Sequence, residues 1–179
     1  PVGVPVTTRV VRSDSTWSYL YQLAAPPSAW AQRVFDASGW STGVGPVGYG
    51  SSVVATTLNV APVATDRPRA LYGRTTFEVA DVSKVQMLSL QVLADDGAVV
   101  YVNGVEVGRD NMGTGAVSYT TFASAARRVT AAQAAPITVS VPSSALVNGV
   151  NVLSVETHVN YRSTPDLTLA ATADLTELR

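Results

Sequence analysis

The sequence predicts an all-β protein, a single antiparallel β-sandwich of jelly-roll type. Three observations predict it. Apolar residues recur at every second position in most segments, the period of a strand with one buried face. Turn residues interrupt these segments at short intervals, as in sandwiches and jelly rolls. No window of a dozen residues carries a helical stripe.

Residues 1–14 read as an N-terminal extension or a first strand. Trp17-Ser18-Tyr19-Leu20-Tyr21 alternates aromatic with small or apolar residues. Leu88, Leu90 and Val92 alternate with Ser89 and Gln91, and Ile137, Val139 and Val141 with Thr138 and Ser140. Val150 to His158 is strand-like, with Val150, Val152 and Ser154 on one face. Leu167, Leu169, Ala171, Ala173 and Leu175 form the last alternation. Ala29 to Phe35 and Ser143 to Leu146 each suit a short helical turn. Between Leu93 and Arg109 lie a strand, an Asp95-Asp96-Gly97 corner, a strand, an Asn103-Gly104 turn and another strand. Asn-Gly between two apolar runs is the strongest short-range hairpin signal, because both central residues of a type I′ turn need φ > 0. No fixed-period repeat and no Ser/Gly or Pro linker divides the chain, so residues 1–179 read as one domain.

Composition narrows the function. Hydrophobic residues make up 46% of the chain, which supports a sizeable core. A net charge of −1 without a basic run removes the phosphate footprint of a nucleic-acid partner. No apolar stretch is long enough for a membrane helix, so no membrane partner is expected. Cysteine is absent, which removes disulfides, thiolate metal sites and cysteine nucleophiles together. The start at Pro1 without a signal peptide fits a processed or excised module.

Four blocks then carry a family resemblance. The first is Trp17-Ser18-Tyr19, Trp30, Phe35 to Trp40 and Gly48-Tyr49-Gly50. The second is Tyr72-Gly73-Arg74-Thr75-Thr76-Phe77. The third is the Asp-Asp-Gly hairpin ending in Arg109-Asp110-Asn111. The fourth runs from Val141-Pro142 through Leu146 and Gly149 to Leu153, then Val155-Glu156-Thr157-His158 and Asp166. In this order they resemble the galactose-binding-domain-like jelly-roll modules of secreted bacterial proteins. Gly73 departs from the family, which usually has an aromatic before the arginine. The resemblance implies a carbohydrate-binding or accessory role without catalysis. It also implies a polysaccharide or glycan partner, a neighbouring catalytic domain in the same polypeptide, and an extracellular location. The alternative is a structural spacer or protein-interaction module beside such a domain.

The candidate ligand-binding residues are Asp95, Asp96, Arg109, Asn111, His158 and Tyr161. Asp95 and Asp96 admit three readings. They are ordinary turn residues, partners of Arg74 or Arg109, or, with Asp110, ligands of a calcium ion. The ion needs 6–8 oxygens, so Asn111, Asp166 or loop carbonyls have to complete the set. Arg74 lies mid-strand among apolar residues, where an unpaired charge is costly. An ion pair with Asp166 is therefore expected, Asp95 and Asp96 being the other candidates. His158 is the only histidine. It reads as a hydrogen-bonded structural residue or as a ligand contact. Trp17, Trp30 and Trp40 read as core residues, and Tyr161 as the exposed aromatic of a loop. Gly43 to Gly48 matches Gly-x-Gly-x-x-Gly, but Pro46 interrupts it and no helix follows, so it carries no nucleotide site. With no nucleophile elbow and no nucleophile–base pair, the chain is not expected to be an enzyme.

Overall fold

Strands form where the sequence alternates or runs β-branched. In the computed structural model, which describes residues 3–179, they are β1 (Pro5–Val11), β2 (Thr16–Leu20), β3 (Ser41–Val44), β4 (Val47–Tyr49), β5 (Thr56–Thr57), β6 (Ala70–Val79), β7 (Val85–Val92), β8 (Gly97–Val102) and β9 (Val105–Asp110). A short helix, α1 (Val129–Ala134), precedes β10 (Ile137–Val141), β11 (Gly149–His158), β12 (Leu167–Leu169) and β13 (Ala171–Leu178). The stretch before residue 15 thus supplies a strand, which pairs with β13.

Two sheets make the sandwich. One has four strands in the order β1-β13-β7-β10, the other six in the order β3-β2-β6-β11-β8-β9. A small third sheet, β12-β4-β5, closes one end. Every pairing in the two large sheets is antiparallel. The core lies between the sheets. Leu88, Leu90, Val92, Ala173 and Leu175 from one side meet Leu71, Phe77, Val79, Val100, Leu153 and Val155 from the other. Trp17 is fully buried among them. Close packing at the core accounts for a glycine at position 73. A Cβ at this position would stand 2.7 Å from Leu169 Cδ1 and 3.1 Å from Trp17 Cε3, so the glycine makes room for both side chains.

Ala29 to Phe35, expected to hold a short helical turn, forms successive i→i+3 turns, with Trp30 N–H donating to Pro27 O (2.9 Å), Gln32 N–H to Ala29 O (2.9 Å) and Phe35 N–H to Gln32 O (3.1 Å). The α-helix instead occupies Val129–Ala134, whose alanines have high helix propensity but too few turns to print a stripe in the sequence. A single 3₁₀ turn forms at Ser143–Ala145, within the segment expected to turn.

The six-stranded sheet is unusual in being covered on its outer face as well. Ala70, Tyr72, Arg74 and Thr76 of β6 share that face with Val152, Ser154, Glu156 and His158 of β11, as the cross-strand register requires. The segments 21–40 and 111–128 lie over it. Trp30 and Ala31 from the first pack on Ala70 and Tyr72, flanked by Leu20, Trp40, Tyr101 and Tyr119. Consequently β11 is buried on both faces for most of its length.

The hairpin has the expected form. Val102 pairs with Val105. Asn103 (φ 52°) and Gly104 (φ 87°) form the two-residue loop. The Asn103 side chain ties this loop to β11, donating to Asn151 Oδ1 (2.8 Å) and accepting from Val152 N–H (2.9 Å). Replacing Gly104 by Val should lower stability by about 1 kcal/mol or more, because a β-branched residue is strained at positive φ. Chemical denaturation of the two proteins checks this, and an unchanged midpoint would refute the turn assignment.

Candidate functional site

The acidic corner precedes β8. Asp95 forms an isolated bridge with Thr168 of β12 and is wholly buried. Neither of its carboxylate oxygens has a hydrogen-bond partner. Burial, followed by the nearby Asp166 and Asp96 carboxylates, pushes its pKa up to about 7, although Thr168 and Arg127 act in the opposite direction. Asp96 behaves differently. Its Oδ1 accepts from Arg127 N–H (2.5 Å) and its Oδ2 from Asn160 N–H (2.6 Å). Burial raises its pKa against those two bonds. It is a clamp that joins the 123–128 segment to the loop after β11.

The other expected site residues disperse around this clamp. Asn111 supports it, donating from Nδ2 to Asp96 O (3.1 Å) and Ala125 O (2.6 Å). Asp110 is bound to Arg127 at 2.5 Å. Arg109 faces away. It makes a bidentate pair with Glu106 (2.6 and 2.8 Å) and donates to the carbonyls of Gly113 and Gly115, so it ties β9 to the loop that follows it. Tyr161 is 42% exposed and lines a cavity of about 180 Å³ with Asp96, Arg127, Arg128 and Asp166.

Two expectations are corrected here. Asp95, Asp96 and Asp110 do not converge as calcium ligands. Among the described residues no group of three or more acidic or histidine side chains could hold a metal. Asp110 is taken by an arginine, and Asp96 by two backbone amides. Nor does Arg74 pair with Asp166. Asp166 lies 3.8 Å from Arg128. Arg74 lies under the 30–35 segment and donates to the carbonyls of Trp30, Gln32 (3.1 Å) and Phe35 (3.3 Å). Its guanidinium carbon is 5.2 Å from the centre of the Phe35 ring. Carbonyl dipoles and a π-face thus solvate the charge that was expected to need a carboxylate.

His158 belongs to a second, more open place. It is fully buried at the end of β11. Nδ1 faces Thr121 O at 2.9 Å and Nε2 faces Glu156 Oε2 at 3.0 Å. The carbonyl can only accept, so Nδ1 carries a proton. Tyr101 donates its hydroxyl to the other Glu156 oxygen at 2.5 Å. Burial, then Glu156, raises the pKa of both Tyr101 and Tyr72, which keeps both phenols protonated.

Above this relay the sheet opens into a bay of about 250 Å³. Its floor is Trp30, Tyr72, Tyr101 and Glu156, and its walls are Ala25 to Ser28 on one side and Val117 to Tyr119 on the other. The rings are held edge to face. Trp30 meets Tyr72 at 5.0 Å and Tyr101 at 5.5 Å, with interplanar angles of 75° and 79°. Trp40 stacks behind Trp30 at 6.3 Å. The bay therefore joins aromatic faces to one buried carboxylate whose two oxygens are fixed by a tyrosine and a histidine. Such a set can stack on an apolar ring face and orient a hydroxyl.

Glu156, Tyr72 and Tyr119 were not among the expected site residues, whereas Tyr101 was one of several aromatics able to stack on a sugar. For the strand residues the signal was shared parity. Tyr72 and Glu156 are direct cross-strand partners, and Tyr101 lies opposite Ser154, on the same face.

No family model matches the chain, and no curated protein matches it in sequence. Solved structures do resemble it. A β-glucuronidase of Bacteroides uniformis is 17% identical, with a TM-score of 0.59 over 96% of this chain and 18% of that one. A glycosyl hydrolase family 2 member from Bacteroides cellulosilyticus DSM 14838 is 14% identical, with a TM-score of 0.59 over 94% of this chain and 21% of the other. A β-glucuronidase of an uncultured Clostridium sp. is 12% identical, with a TM-score of 0.53 over 98% and 29%. At these identities the likeness is one of fold, and it establishes the β-sandwich. The chain spans under a third of each of these proteins.

The buried acid at Asp95 has a measurable consequence. Its folded-state pKa of about 7 lies above the unfolded value of about 4, so the folded state holds the extra proton between these limits. Stability should fall as pH rises from about 4 through 7. Asp95→Asn removes the titrating group. The variant should melt above the parent at pH 8, and the two should converge near pH 4. Thermal melts across that range check this, and parallel curves would refute it.

Proposed function

We propose that this domain is a non-catalytic carbohydrate-binding module of the galactose-binding-domain-like class. On this reading it serves as an accessory domain beside a glycosidase catalytic domain in a longer, secreted polypeptide. The observation that carries the proposal is the aromatic bay with Glu156 at its floor. Aromatic faces match the C–H faces of pyranose rings, and a carboxylate with fixed oxygens suits sugar hydroxyls. The fold likeness to segments of glycosidases supports the second half of the reading, because each of those chains is several times longer than this one.

Isothermal titration against a panel of oligosaccharides tests it. The native domain should bind at least one of them. Tyr119→Ala should weaken that binding about tenfold, equivalent to about 1.4 kcal/mol. Tyr119 stands at the wall, half-buried against the Trp30 cluster, so the variant should melt somewhat below the parent but still unfold cooperatively, and binding is compared well below both midpoints. No binding across the panel would leave the spacer or protein-interaction role in its place.

A further inference from the structure

The outer face of the six-stranded sheet carries a second concavity, and its chemistry differs from that of the bay. It is a groove of about 460 Å³ on the far side of the 30–35 segment. That volume lies within the usual range for small-ligand sites, about 300–1,000 Å³. Hydroxyls of Thr16, Ser18, Thr42 and Thr76 line it, together with Arg33 and Arg74. No carboxylate lines it.

Arg74 makes this groove electrically unusual. The residue is 6% exposed, yet among the described residues no carboxylate pairs with it. Three of its five N–H donors go to the carbonyls of Trp30, Gln32 and Phe35. Two donors remain, the number that a planar carboxylate takes from a guanidinium fork. Arg33, exposed at the rim, likewise has no carboxylate partner among the described residues. The ligand that completes such a site is an anion that also carries hydroxyls.

We propose that this groove binds the carboxylate of an acidic sugar, with Arg74 at its base and Arg33 at its rim. The proposal extends the carbohydrate-binding reading, because the same loop forms a boundary of both the bay and the groove. A uronate-containing glycan would then be distinguished from a neutral one on this face.

Two measurements test the groove, one of them independent of the bay. In the first, free glucuronate and glucose are titrated into the native domain and backbone amide signals are followed by NMR. Glucuronate should shift Ser18, Arg33 and Thr76, and glucose should not. Absence of such shifts at millimolar glucuronate overturns the proposal, whatever the bay binds. In the second, a uronate-containing oligosaccharide is compared with its carboxyl-reduced form. The acidic form should bind about tenfold tighter, and the ratio should shrink with added salt. Arg33→Gln should lower that ratio without abolishing it, because Arg74 still meets the carboxylate. Equal affinities in the native domain, or a ratio unchanged by Arg33→Gln, overturn it as well. If the glycan panel fails but glucuronate shifts the groove, the bay reading falls and this one stands.

Discussion

Covering the six-stranded sheet on both faces is the constraint on which the rest of the structure depends. A sandwich needs to bury only the faces between its sheets. Here the second covering buries an arginine, a glutamate and a histidine on strands that would otherwise meet water. These three groups each find a partner, because a buried charge or imidazole without one costs more than a typical hydrogen bond returns. Glu156 is met by Tyr101 and His158, and Arg74 by three carbonyls of the segment that covers it. The charges and the covering loops therefore order one another. Asp96 does the same at the sandwich's end, using two backbone amides.

Most of the architecture was legible from local pattern. Alternation in β7 and β10, the Asn103-Gly104 turn and the strand-like pattern of β11 all report one residue's environment through its near neighbours. What stayed hidden depends on partners far along the chain. Arg74 was recognisable as a buried charge, but nothing at position 74 says that carbonyls some forty residues earlier will meet it. Asp95 and Asp96 are adjacent in sequence and identical in type. One faces Thr168 in the interior and the other holds amides of two different loops. The aromatic bay is spread over five segments, and nothing within any one of them shows that it meets the others.

The two concavities on the outer face divide its chemistry between them. The bay has aromatic rings and one carboxylate. The groove has hydroxyls and two cations. Trp30 contributes its ring to the bay and its carbonyl to Arg74 in the groove, so one residue sets the geometry of both.

The wall of the bay formed by residues 117–119 belongs to a segment fixed at close intervals. Ser124 N–H bonds to Asn111 O (2.8 Å), Ala123 N–H to Val159 O (3.0 Å), and Thr121 O meets His158. A recognition surface on a loop usually loses freedom when its ligand arrives, and affinity falls by that amount. Here the freedom is surrendered during folding. On the carbohydrate-binding reading, association at this bay is that of a preformed receptor, with ligand exchange governed by escape of the ligand rather than by rearrangement of the protein.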